Sequence, residues 1–87
     1  MLEVIKVRER LITRNLIKKY EKEPGGQGKA IMYRKRLAMA ELRDLYKDHG
    51  LDKTTRDNIF SMIKSPDPEN LTVAETIIQQ IKSKTNG

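Results

Sequence analysis

The chain has 87 residues and a net charge of +6, with one Phe, three Tyr, no Trp and no Cys. The absence of Cys excludes disulfides and thiolate metal sites, and no apolar run approaches the roughly 18 residues of a membrane span. A single small domain of this length (1–87) buries only about 60–65% of the surface its unfolded chain exposes, so an aliphatic core of Ile, Leu, Val, Met and Ala is expected.

The first segment, Leu2 to Lys22, has helical periodicity. Ile5, Ile12, Leu16 and Tyr20 share one side of a 3.6-residue wheel, while Arg10, Arg14, Lys18 and Lys22 recur every four residues as a separate basic stripe. Val4, Ile5 and Val7 are β-branched and allow an extended start, but helix from Glu3 onward is the favoured reading. "EKEPGGQGKA" breaks the pattern, because Pro24, Gly25, Gly26 and Gly28 are poor helix formers. Residues 23–29 are therefore expected to form a flexible Gly-rich loop.

A second helix is expected from Ala30 to His49. Ile31, Ala38, Leu42 and Leu45 would form its apolar face, and Lys29, Arg36, Arg43 and Lys47 its basic face. Glu41, Asp44 and Asp48 would lie between the two. Gly50 supplies the stop, and Leu51 can fold back on the last turn.

A third helix begins near Asp52 or Thr54, either of which can cap it, and it ends at Ser65-Pro66. Its apolar residues are Ile59, Phe60, Met62 and Ile63. "SPDPEN" reads as a turn. The fourth helix opens at "TVAE", where Thr72 and Glu75 have capping-box spacing. Ala74, Ile77, Ile78 and Ile81 form its buried stripe, and "KSKTNG" reads as a tail, frayed over 83–87. The expectation is an all-α fold, a small bundle of four helices.

No reactive constellation stands out. His49 is the only histidine, and nothing in the spacing pairs it with Ser61, Ser65 or Ser83 as a nucleophile. The chain is read as no enzyme, with no metal and no cofactor. The Gly-rich "GGQGKA" invites a phosphate-loop reading but lacks the spacing of that motif, leaving a connection between helices or a loop touching a nucleic-acid phosphate.

The charge is uneven. Met1 to Gly50 holds 13 Lys/Arg against 7 Asp/Glu, giving +6, while Leu51 to Gly87 holds 5 against 5, giving zero. Such asymmetry points to a polyanionic partner, nucleic acid first and an anionic membrane surface second. Arg10, Arg14, Lys18, Lys22, Lys29, Arg36, Arg43 and Lys47 are the candidate phosphate contacts. The N-terminus lacks the apolar core of a signal peptide, so a cytoplasmic location is expected.

The stretch "ELRDLYKDHGLDKTTRDNIFSMIKSPDPENLTVAETIIQQI", Glu41 to Ile81, resembles the helix-turn-helix of the Cro and phage-repressor class. One helix ends in Gly50-Leu51, a polar-capped helix follows from Thr54 to Lys64, and a Pro-containing turn leads to a helix that packs on the core. Tyr46 stands where that family usually has a small residue, and Arg56 where it usually buries an aliphatic one. The resemblance implies a small DNA-binding transcription regulator of phage or bacterial type, with Thr55, Arg56 and Asn58 reading base edges and DNA favoured over RNA. The alternative is a small helical protein-binding module or inhibitor that engages a larger protein partner, such as an acidic one, or self-associates as a homodimer.

Overall fold

The computed structural model describes residues 2–85, and the surroundings of side chains 8–84. The fold is all-α, as expected. Four helices follow in order: α1 (Leu2–Lys22), α2 (Gln27–Asp48), α3 (Lys53–Lys64) and α4 (Pro68–Thr85), with no strand among the described residues. The chain divides into two compact units, Met1–Leu37 and Ala38–Gly87, with the division falling inside α2.

In the first unit the break between α1 and α2 is shorter than the glycine content suggests. Only residues 23–26 lie outside helices, so Gln27, Gly28 and Lys29, expected in a loop, form the first turn of α2. The connection is closed by hydrogen bonds. Glu23 N–H donates to the Tyr20 carbonyl (3.3 Å), and Gly26 N–H donates to that of Glu23 (3.1 Å). Ala30 N–H then donates to the Gly26 carbonyl (3.0 Å), which makes Gly26 the cap of α2. Gly25 takes a left-handed φ of 78°, a conformation that costs glycine little.

The inward face of α1 is rotated from the expected one. Ile17 is buried, Leu16 and Tyr20 are half-buried, and Ile12 is 53% exposed. The side chains of Val4, Ile5 and Val7 lie outside the described residues. On α2, Ala30 is buried, whereas Ile31 is only half-buried.

The core of the second unit comprises Ala38, Leu42 and Leu45 of α2, Ile59 and Ile63 of α3, and Leu71, Ala74 and Ile78 of α4. α3 packs on α4. Ile77 and Ile81, expected on the stripe of the fourth helix, are half-buried, as are the apolar Phe60 and Met62 of α3. Gly50, at φ 69°, turns the chain after α2 so that Leu51 N–H reaches the Leu45 carbonyl (3.1 Å), which also accepts from His49 N–H.

Asp52 caps α3. Its carboxylate accepts from the Thr55 amide (3.0 Å) and the Thr55 hydroxyl (2.7 Å). These bonds, the hydroxyl's first, hold the carboxyl below its usual range. The cap therefore stabilises above the unfolded-state pKa of Asp52, and that contribution is lost as pH falls through the lowered folded value.

The start of α4 corrects the capping-box expectation. The cap is Asp67, not Thr72: its Oδ1 accepts from Glu69 N–H (3.0 Å), and its carbonyl accepts from Asn70 N–H (3.1 Å). Pro68 occupies the first helical position, where its missing N–H costs nothing. Thr72 lies one turn inside and donates its hydroxyl to the Pro68 carbonyl (3.3 Å). The earlier start wins because it adds Leu71 to the buried face at 0% exposure, worth about 1.5–3 kcal/mol, whereas either cap contributes about the same. Ser65 Oγ braces the corner by accepting from Asp67 N–H (3.2 Å) and Asn70 Nδ2 (2.9 Å). At the other end, α4 continues to Thr85, so residues 82–85, expected as tail, are helical; 86 and 87 lie outside the described residues.

The two caps make a direct test by denaturant unfolding. Asp67→Ala is expected to lower stability by about 0.5–2 kcal/mol. Thr72→Ala, with no cap to lose, should stay within about 0.5 kcal/mol of the parent. The reverse ranking would place the helix start at Thr72.

Candidate nucleic-acid interface

The structural boundary sharpens the charge asymmetry. Met1–Leu37 holds 11 Lys/Arg against 4 Asp/Glu, a net +7, and Ala38–Gly87 holds 7 against 8, a net −1. Six of the eight candidate phosphate contacts belong to the first unit. On α1, Arg14, Lys18 and Lys22 are exposed and Arg10 is half-buried, with Arg10 and Arg14 already engaged within the chain. On α2, Lys29 and Arg36 are exposed. The four-residue spacing on α1 keeps its cations on neighbouring turns of one helix.

Around the connection, aromatic rings and cations interleave. Tyr20 of α1 and Tyr33 of α2 stack with centroids 5.7 Å apart and planes 4° from parallel. Lys19 Nζ and Lys29 Nζ lie 5.8 and 5.3 Å from the Tyr20 centroid, and the Arg36 guanidinium lies 5.6 Å from that of Tyr33. This cluster was not foreseen from sequence. Its signal is the pairing of Tyr20 and Tyr33 across a four-residue connection, which appears only once that connection is known to be short.

In the second unit, Arg43 and Lys47 are exposed on α2. With Arg56 they edge a groove of about 360 Å³ whose apolar wall includes Met39, Tyr46 and Phe60. The three base-reading candidates differ in what they already hold. The Thr55 hydroxyl donates to Asp52. The Arg56 guanidinium lies 4.4 Å from the Tyr46 ring centroid and is paired with Asp57 (2.8 Å). Asn58 is exposed. Tyr46 and Arg56, the two departures from the helix-turn-helix pattern, thus lie against each other.

One functional-looking residue was misplaced by sequence reasoning. Glu41, expected between the apolar and basic faces, is only 4% exposed. Its Oε2 accepts from Gln79 Nε2 and Lys82 Nζ, both at 3.2 Å, joining α2 to α4. The spacing could have found it: Glu41 falls three residues after Ala38 and four before Leu45, on the buried face. A buried carboxylate held by a cation and an amide is a structural tie.

His49 is exposed just after α2. Among the described residues no group of His, Asp or Glu could hold a metal ion, and no helix is long and apolar enough to cross a membrane. No protein-family model matches the chain, and no curated protein or solved structure matches it either. The functional reading rests on the chain's own chemistry.

Proposed function

We propose that this chain is a nucleic-acid-binding protein whose affinity comes from neutralising phosphates with the basic helix faces of Met1–Leu37. The carrying observation is the charge division, +7 on that unit against −1 on the other. Exposed cations on a strongly positive unit attract a polyanion from a distance and release its counterions on contact. The second unit, with its slight negative charge, adds no net attraction. A duplex-reading role for α3 would require Arg56 to leave both Tyr46 and Asp57, so sequence-independent binding fits these side chains better than base readout.

The experiment is a salt titration of binding to short DNA. Lys18→Ala, Lys22→Ala and Arg36→Ala should each weaken binding to all sequences alike, and each should flatten the plot of log affinity against log salt by about 0.7–0.9 per lost phosphate contact. Arg43→Ala and Lys47→Ala should change it less. Absence of binding at low salt, or equal loss from both units, would overturn the assignment.

A second reading, docking of an acidic protein segment, is favoured by one observation. The groove beside Tyr46 and Phe60 combines an apolar wall with Arg43, Lys47 and Arg56 on a unit that is otherwise short of positive charge. Binding by such a packed interface would lose less with added salt than phosphate contacts do.

A further inference from the structure

The geometry points to Tyr20 and Tyr33 as a stacking platform for an unpaired nucleobase, which makes single-stranded nucleic acid, rather than duplex, the preferred ligand of the first unit. This rests on the phosphate-binding reading above and adds to it a class of ligand. Parallel rings at 5.7 Å between centroids are offset, and both tyrosines are half-buried rather than fully enclosed. Around them, Lys19, Lys29 and Arg36 place three cations within 6 Å of a ring centroid.

The two kinds of group suit the two parts of a nucleotide. An aromatic face accepts any base, because every base has a π-face, and the neighbouring cations meet the phosphates on either side. Lys19, Lys29 and Arg36 are exposed, and an exposed cation over a ring is weakly held. An arriving base can therefore displace an ammonium from Tyr20 while that ammonium turns to a phosphate. A duplex keeps its bases stacked on one another and offers the platform only its backbone. The preference for single strands follows from that difference, since phosphate contacts alone would favour the higher charge density of the duplex.

The test compares a labelled oligothymidylate of about 12 nucleotides, within the span of about 4–16 that one small single-strand-binding module covers, with a duplex of the same length. The chain has no Trp and three Tyr, so in a Tyr46→Phe background the tyrosine emission reports on Tyr20 and Tyr33 alone. Oligothymidylate is expected to quench that emission, and the duplex to leave it nearly unchanged. Tyr20→Leu should weaken oligothymidylate binding by roughly 5- to 150-fold, the effect of one lost base stack, with duplex binding within about twofold. Tyr20→Phe, which keeps the ring, should bind as the parent does. The quenching measurement leaves the tyrosine pair intact and so stands even if Tyr20→Leu disturbs the helix connection. Equal losses on single strand and duplex, or binding of oligothymidylate without quenching, would overturn the platform while leaving the phosphate reading in place. If neither nucleic acid binds at low salt, the phosphate reading fails and the platform fails with it.

Discussion

Leu42→Ala is expected to lower the stability of this protein by about 2–5 kcal/mol, the range for emptying a well-packed aliphatic site. Leu42 is 2% exposed, with Ala38 one turn before it and Leu45 one turn after it, both also buried. Neighbours anchored on α2 can relax into the space only in part. Small domains have a total stability of roughly 5–15 kcal/mol, so a loss of this size should move the thermal midpoint well outside experimental error. Ile31→Ala on the same helix is the control. Ile31 is half-buried, so its truncation removes less apolar burial and should cost less. Equal effects at the two positions would show that Ile31 is buried in its unit as fully as Leu42 is in the other.

Gly26→Ala is the second large effect, and it acts through backbone. A Cβ at Gly26 would run into the Tyr20 carbonyl oxygen, and would lie 3.1 Å from the Tyr20 carbonyl carbon and 3.2 Å from the Glu23 Cβ. The main obstacle is main chain and cannot swing aside as a side-chain tip could. Accommodation means opening the last turn of α1 or shifting the start of α2, at a cost of about 1–3 kcal/mol or more. Gly28→Ala makes the opposite case two residues away. Nothing lies within 4 Å of a Cβ there, and the residue is helical. That change should stabilise by up to about 0.5–1 kcal/mol, because it removes only unfolded-state freedom. Thermal unfolding of the two variants beside the parent would show opposite signs. A neutral Gly26→Ala would mean that the connection yields easily.

How much of this was legible beforehand varies with the kind of interaction involved. The four helices follow from apolar periodicity and the end of α2 at Gly50 from local backbone chemistry, which offered Asp52 and Thr54 alike as the cap of α3. What local rules missed was decided at longer range. Thr72 and Glu75 satisfy the capping-box spacing as well as any sequence could, yet α4 starts earlier because Leu71 finds a place in the core. Ile12 and Ile17 are equally apolar, and periodicity put Ile12 on the inward side of α1, yet Ile17 is the buried one and Ile12 is 53% exposed. The glycines of "GGQGKA" suggested a long loop, whereas two of them close a tight one and the third sits inside a helix.

The same holds for the candidate interface. Its basic residues could be listed from sequence, because exposure is the default for Lys and Arg. The tyrosine stack could not, since it depends on two residues thirteen positions apart. The engagement of Arg56 by Tyr46 and Asp57 was also hidden, because a polar residue in a helix looks the same in sequence whether it faces solvent or lies on a ring.

The tie between Glu41 and Lys82 sets a limit on how far the C-terminus can be trimmed. Lys82 stands near the end of a segment whose composition invites removal when a shorter version of the protein is prepared. A chain stopped at Ile81 would lose the ammonium that reaches a carboxylate only 4% exposed, where the nearer of the two α4 partners of Glu41 stands 38 positions along the chain. Such a shortening would therefore act as an electrostatic lesion deep in the second unit, far along the chain from the cut. Lys82, which looks dispensable in the sequence, is a cation paired with a carboxylate of the interior.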